Sequence, residues 1–329
     1  MVAVGAALAG KCGVEPRARL ILAVSGGADS FALLAAMAAL ATRPHLEYEL
    51  VVAHVHHGRR AGADEEAAGV RAAAAEFALP YEQVDLDPGA AVEPGGLAAH
   101  LRRARYEALG RIAREHGADA IATAHQGTDQ LETLLLALAR GAGLDGLSGM
   151  AWRAERFGAT IVRPLLGVGR EECRALLESI GWAWFDDPTN ESVEHPRIRV
   201  RQEVLPALRA IAPDLDGRIT RTTDQLADAA ALVEGEARRL FGDEAGAGSH
   251  DRETLRGASA IIVGAGLRRA ATALGAPIDQ VSAKVVGSTV EAIGDAVRRP
   301  RRFEWPGGVV VRVTAKTVEI GRADEIDGE

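Results

Sequence analysis

Lysine is almost missing from this chain of 329 residues: Lys11, Lys284 and Lys316 are the only three. None stands between residues 12 and 283, so there is no Gly-Lys-Ser/Thr and no Walker A phosphate loop. Cysteine is nearly as scarce. Cys12 and Cys173 provide neither a disulfide framework nor a metal-spaced pair, which suits a reducing cytosol and a cytoplasmic location. No run of about 20 apolar residues occurs, so no membrane-spanning helix is expected. The apolar stretch from Val2 to Ala9 has no basic segment ahead of it and does not read as a signal peptide. An excess of positive charge is also lacking. The net charge is −8 and the isoelectric point about 5.7, so any RNA contact must come from local arginine clusters. Two exist, Arg197/Arg199/Arg201 and Arg298/Arg299/Arg301/Arg302, although such clusters are ordinarily solvated faces. Aromatic residues make up only 4%, yet 47% of the chain is hydrophobic, enough for the cores of two domains.

What is present is concentrated in Ser25-Gly26-Gly27-Ala28-Asp29-Ser30. An apolar run, Leu20 to Val24, precedes it, and a helix-like stretch from Phe31 to Leu40 follows. A buried strand thus enters a glycine turn and then a helix. Glycines let the backbone approach a ligand closely, and a helix N-terminus offers unpaired N–H groups to an anion. Ser25 and Ser30 add hydroxyls, and Asp29 adds a carboxylate that can hold Mg²⁺ beside phosphates. This loop also lacks the G-x-G-x-x-G spacing of dinucleotide folds. Its pattern, S-G-G-x-D-S, resembles the PP-loop of ATP pyrophosphatases, which cleave ATP to AMP and pyrophosphate.

The first half alternates strand and helix. Strands are expected over 18–24, 49–55, 81–86 and 118–124, with helices over 30–42, 63–78, 96–116 and 129–140. That alternation implies an α/β fold with a doubly wound parallel sheet, whose ligands sit outside the carboxyl ends of the strands. A short strand and a helix over 170–180 follow, then a polar turn at 186–190 and a helix from about 199. Beyond Pro213 the pattern changes to helices over 216–240, 252–274 and 278–297, one β-like segment over 309–320 and an acidic, disordered tail from Asp324. We expect a nucleotide-binding domain over 1–210 and a smaller, mainly helical domain over 211–329.

Two further polar clusters fall at expected strand ends. In the first, His54-Val55-His56-His57-Gly58, His54 and His56 share one face. No carboxylate or cysteine stands at ligand spacing, so lining the adenine end of a nucleotide crevice, with His54 and His57, is favoured over a metal site. In the second, His125 precedes Asp129, Glu132 and Thr133, which share a helix face. Acids in a first helical turn are ordinary dipole partners. In a crevice that holds ATP, two carboxylates suit a cationic co-substrate, such as an amine, or Mg²⁺.

The ordered series of motifs resembles the tRNA(Ile)-lysidine synthase family over nearly the whole chain. It comprises Ser25–Ser30, Ala53–Gly58, Leu101–Tyr106, Ala124-His125, Asp129–Thr133, Arg140–Met150, Arg163–Leu166, Asp187–Asn190 and Arg197–Pro206. The resemblance implies an enzyme that joins free L-lysine to C2 of the wobble cytidine of the isoleucine tRNA with anticodon CAU. ATP and Mg²⁺ would first adenylate the cytidine O2 and release pyrophosphate; the lysine amine would then displace AMP. On this reading Ser25, Gly26, Gly27, Ala28, Asp29 and Ser30 bind ATP, with Asp29 on the metal. Asp129 and Glu132 hold the lysine beside His125, and Arg102 and Arg105 lie near phosphates or carboxylate. Arg197, Arg199 and Arg201 face the tRNA backbone. No protein partner is evident. Two positions depart from the family pattern: Thr128 stands where a first acid is usual, and Ile198 where asparagine is common. The rival readings are a PP-loop tRNA thiolase, which would need paired cysteines, an amide-forming NAD or GMP synthetase, and a non-catalytic nucleotide-sensing module.

Overall fold

The central strands are unbroken apolar runs because helices cover both faces of their sheet. The structure, a computed structural model, describes residues 1–56, 62–86, 96–185, 196–242, 247–277, 280–296 and 299–327. The chain forms two units: residues 1–136 with 149–223, and residues 137–148 with 224–329.

The first unit begins with helix α1 (Val2–Ala6) and a π turn over Ala7–Lys11. Then come β1 (Arg19–Ala23), α2 (Ala28–Ala41), β2 (Glu49–His56), α3 (Ala63–Glu76), β3 (Tyr81–Asp85), α4 (Leu97–Glu115), β4 (Ala120–Thr123) and α5 (Gly127–Ala139). After α6 (Leu144–Leu147), which belongs to the second unit, follow β5 (Arg153–Arg156), β6 (Ala159–Val162), α7 (Arg170–Ser179), α8 (Pro196–Arg199), α9 (Leu205–Ile211) and α10 (Leu215–Phe241), whose residues from 224 on belong to the second unit. The sheet order is β3-β2-β1-β4-β6-β5, parallel except for the β5–β6 hairpin at one edge. The expected doubly wound sheet is therefore present. The hairpin partner β5 was not anticipated; its exposed, charged sequence Arg-Ala-Glu-Arg carries no apolar signal.

Alternation along each strand fills two cores. Leu20, Leu22, Leu50, Val52, Ala120, Ala122 and Val162 pack on one face with α2 and α3. Ile21, Val51, Ala53, Val55, Ile121 and Ile161 pack on the other with Tyr106, Leu109 and Ile112 of α4. The strand order reverses direction of growth at β1, between β2 and β4. This places the switch point of the sheet beside the loop after β1. Residues 196–211 form one helical run with a π turn at Val200–Val204. Pro206 explains the bulge, since it has no N–H to continue the ladder.

The second unit holds the antiparallel sheet β7 (Gly248–Asp251), β8 (Arg301–Trp305), β9 (Val309–Val313) and β10 (Thr317–Arg322), ordered β7-β10-β9-β8. Helices α11 (Arg252–Gly257), α12 (Ala260–Ala273), α13 (Ala283–Gly294) and α14 (Ala323–Asp327) accompany it. Val309, Val311, Val313, Val318 and Ile320 meet Val263, Leu267, Val286 and Ile293 in one core. Sequence showed one β segment here instead of four strands, because β7 and β8 are short and mostly polar. It also ran α11 and α12 together, and it read as disordered a tail whose residues to 327 are helical, with Ile326 buried. Arg301 and Arg302 of the second arginine cluster pair with Asp295 and Glu304 on the sheet's rim; Arg298 lies outside the described residues. No helix among the described residues is long and apolar enough to cross a membrane.

Candidate functional site

Residues 24–30 pass from β1 into α2, and their geometry comes from one buried hydroxyl. Gly26 adopts φ +95°, a left-handed conformation that glycine takes without strain. Ser30 Oγ accepts the N–H groups of Ser25 at 3.2 Å and Gly26 at 3.1 Å and donates to Gly27 O at 2.8 Å. Ser30 thus braces the loop from beneath, 4% exposed, with its hydroxyl proton directed to Gly27 O, while the residue still lines the cavity. Ala28 and Asp29 occupy the first helical turn, where N–H groups lack intrahelical carbonyls. Ser25, Gly27, Ala28 and Asp29 line a cavity of about 420 Å³, together with His54, Arg105, His125 and Arg201.

Asp29, half-buried, is the acid of this loop, and burial pushes its carboxyl above the ordinary value, with Arg170 opposing. Arg170 Nη2 stands 3.5 Å from Oδ2. Oδ1 is buried with no hydrogen-bond partner, and the Gln126 side chain nearby slightly favours the charged form of the carboxyl. A desolvated carboxylate oxygen beside free helix N–H groups is a fitting ligand for a hard cation shared with phosphates. Among the described residues no group of three acids, histidines or cysteines gathers to hold a metal alone.

His54, 3% exposed, faces the Val24 carbonyl through Nδ1 at 2.9 Å. That partner only accepts, so Nδ1 carries the proton and Nε2 is left as an acceptor. Burial lowers its basicity, so it is neutral. His57 and the 186–190 turn lie outside the described residues. Arg102 and Arg105 of α4 lie over the Tyr106 ring, 5.2 Å and 5.5 Å from its centroid, and Tyr106 stacks on Phe157.

His125 lies two residues beyond the end of β4, with Nδ1 2.9 Å from Thr123 Oγ1. Burial pushes its pKa down to about 3, and the guanidinium groups of Arg163, Arg105, Arg102 and Arg197 add to the shift. The unfolded chain binds this proton near pH 6.5 and the folded chain only near 3. Between those values the unfolded state holds the extra proton. This contribution to stability is therefore complete above pH 6.5 and is lost as the pH falls towards 3. Urea unfolding of a His125→Asn variant should accordingly show a shallower loss of stability from pH 6.5 to 4 than the parent chain. Equal slopes would show that His125 titrates normally.

The acid pair is not open, as the sequence led us to expect. Glu132 has a side-chain exposure of 0%, and its two oxygens receive Arg197 Nε and Arg201 Nε, each at 2.6 Å. Asp129, 16% exposed, accepts the Gln126 N–H through Oδ2 at 3.0 Å and Arg197 Nη2 through Oδ1 at 3.2 Å. Burial raises the Asp129 carboxyl above the ordinary value, with Arg197 opposing. Arg197 and Arg201 are one turn apart and turn inward together. Arg199, on the other side of the helix, is exposed and pairs with Glu203 at 3.2 Å. Of the three arginines assigned to tRNA, only Arg199 faces outward.

Sequence reasoning missed Arg170 and Phe185. Arg170 opens α7 and carries no motif. Phe185 donates its N–H to Gly26 O at 3.1 Å, and its ring fills the notch left by Gly69, where a Cβ would lie 2.5 Å from Phe185 Cε2. A glycine inside α3 was the only local signal. Both cysteines are buried, and burial pushes Cys12 up to about 11 and Cys173 to about 12, so neither is a reactive thiolate.

A braced S-G-G-x-D-S loop at the switch point of a parallel sheet defines a PP-loop nucleotide-binding protein, and the model of the PP-loop domain matches residues 6–208. The tRNA(Ile)-lysidine synthase of Salinispora tropica is 40% identical over 295 residues, 89% of this chain and 87% of the relative. That of Bordetella bronchiseptica is 43% identical over 230 residues, 68% of this chain and 65% of the relative's length. The chain belongs to the tRNA(Ile)-lysidine synthase family. Among solved structures, the U34-tRNA thiolase of Methanococcus maripaludis shares the fold, with a TM-score of 0.56 at 17% identity over 69% of this chain and 78% of that one.

Proposed function

We propose that this protein uses ATP to join L-lysine to C2 of the wobble cytidine in the CAU-anticodon isoleucine tRNA, in the cytoplasm. The observation that carries this reading is the convergence of the PP-loop, Arg105, His125 and Arg201 on one cavity. In the first step the cytidine O2 would attack the α-phosphorus of ATP and pyrophosphate would leave. The first-turn N–H groups of α2 and the guanidinium groups of Arg102 and Arg105 would stabilise the charge that develops. Asp29 would hold Mg²⁺ through Oδ1; when bound, the ion would neutralise charge on the departing pyrophosphate. In the second step the lysine amine would attack C2, and AMP would leave with the O2 oxygen.

Lysine is a zwitterion with an added ammonium, and the cluster beside the cavity carries both signs. Asp129 would meet the ammonium, and Arg201, which lines the cavity, the carboxylate. Glu132, without exposed surface, would act by holding Arg197 and Arg201 in place. Arg199 and the region 211–329 would contact the tRNA. The buried cysteines do not suit sulfur delivery, which disfavours a thiolase reading.

The order of product release tests this. With ATP and tRNA alone, pyrophosphate should appear and adenylated tRNA accumulate; added lysine should then release AMP. Lysine-independent AMP release, or pyrophosphate release without tRNA, would refute the reading.

A further inference from the structure

The first turn of α5 carries Asp129, and it is anchored by a contact that the chemistry above does not use. Thr128 is 2% exposed. Its hydroxyl accepts from Arg209 Nη2 at 2.8 Å and donates to Asp216 Oδ1 at 3.3 Å. Arg209 Nη2 also reaches both oxygens of Asp216, at 3.2 Å and 2.9 Å. The approach is close: a Cβ on Gly127 would lie 3.1 Å from Asp216 Cβ. Asp216 begins a polar stripe along one face of α10, at spacings of four and three residues. Thr220 Oγ1 donates to Leu166 O at 2.9 Å, and Thr223 Oγ1 accepts from Gln130 Nε2 at 3.0 Å. Gln130 in turn accepts the Met150 N–H at 2.6 Å. The first turn of α5 is thus held by side chains from α9 and α10.

We propose that Asp216 is a positioning residue for the amine site. With Arg209 it anchors Thr128 and thereby sets the direction of the neighbouring Asp129 carboxylate. This rests on the reading of Asp129 as the ammonium ligand. It also explains why position 128 carries a hydroxyl and not a charge. A carboxylate at 128 would lie within hydrogen-bond distance of Asp216, two anions sharing one guanidinium. A hydroxyl, which donates and accepts at once, satisfies both neighbours. Like charges in such contact are unfavourable, and residues in one network couple.

The full chain is compared with Asp216→Asn, Thr128→Asp and the double variant, by melting temperature without ligands and by the KM for lysine and for ATP. Each single variant should melt a few degrees lower and raise the lysine KM by about tenfold, with the ATP KM nearly unchanged. The double variant, in which one carboxylate again faces Arg209, should recover most of both losses. Melting losses that simply add would overturn the anchor, and equal rises in lysine and ATP KM would overturn its positioning role. Coupled melting temperatures with no lysine dependence in any protein would support the anchor and refute the amine-site reading alone.

Discussion

Replacing Asp29 by alanine should slow adenylate formation by roughly a hundredfold or more, while leaving the melting temperature unchanged or slightly raised. The kinetic size is that of removing one preorganised electrostatic contact from a desolvated site. The stability expectation has a separate origin. Burial raises the Asp29 carboxyl above its ordinary value, so the folded state disfavours its charge. A carboxylate of this kind weakens the fold increasingly as the pH rises above the ordinary carboxylate value. Its Oδ1 gains no hydrogen bond in return, and its contact with Arg170 is long, at 3.5 Å. Alanine removes that cost, a trade of stability for function that is common at active sites. Pyrophosphate release and thermal melting, measured on the same preparation, check both halves. Near-normal pyrophosphate release would remove the loop from the chemistry. A collapse of the fold would make Asp29 a structural residue.

Glu132 should behave in the opposite way. Its side chain has no exposed surface, and two guanidinium groups end on it at 2.6 Å. Removing one partner of a buried ion pair typically costs about 3–5 kcal/mol, because the other charge is left uncompensated. Arg197 and Arg201 retain 32% and 25% exposure, so water takes up part of the loss. For Glu132→Ala we expect about 2–4 kcal/mol, read by urea unfolding. The milder Glu132→Gln should still fold, because the amide oxygen accepts one guanidinium. It should raise the lysine KM strongly and the ATP KM little, since Arg201 would lose its anchor. A stability change within about 0.5 kcal/mol for Glu132→Ala would show that the two arginines have other supports. Matching rises in the lysine and ATP KM for Glu132→Gln would move this cluster to the nucleotide.

The contrast between these two acids marks what was legible in the sequence. Asp29 was readable because local chain order gives its setting: a strand, a glycine turn and a helix start. The parallel sheet was readable for the same reason, from apolar runs spaced by helices. Glu132 was readable as an acid on a helix face, but not as a closed one. Its partners stand 65 and 69 residues away, and nothing local says that Arg197 and Arg201 turn inward while Arg199 turns out. Ser30 looked like a ligand group because its role as a brace depends on the loop's own curl. Arg170 and Phe185 reach the site only through packing across α2 and α3. Strands such as β5 and β8 were lost because their exposed residues are charged, which masks the period of two.

A cavity that adenylates the wobble cytidine should also complete the amine transfer on that same nucleotide. Isotopically labelled lysine, incubated with the full chain, ATP and CAU-anticodon isoleucine tRNA, reports that transfer, with the tRNA digested to oligonucleotides and the anticodon fragment sequenced by mass. Label is expected on the wobble cytidine alone, in equal amount to the AMP released. AMP release without label on that cytidine, or label at any other nucleoside, would contradict it.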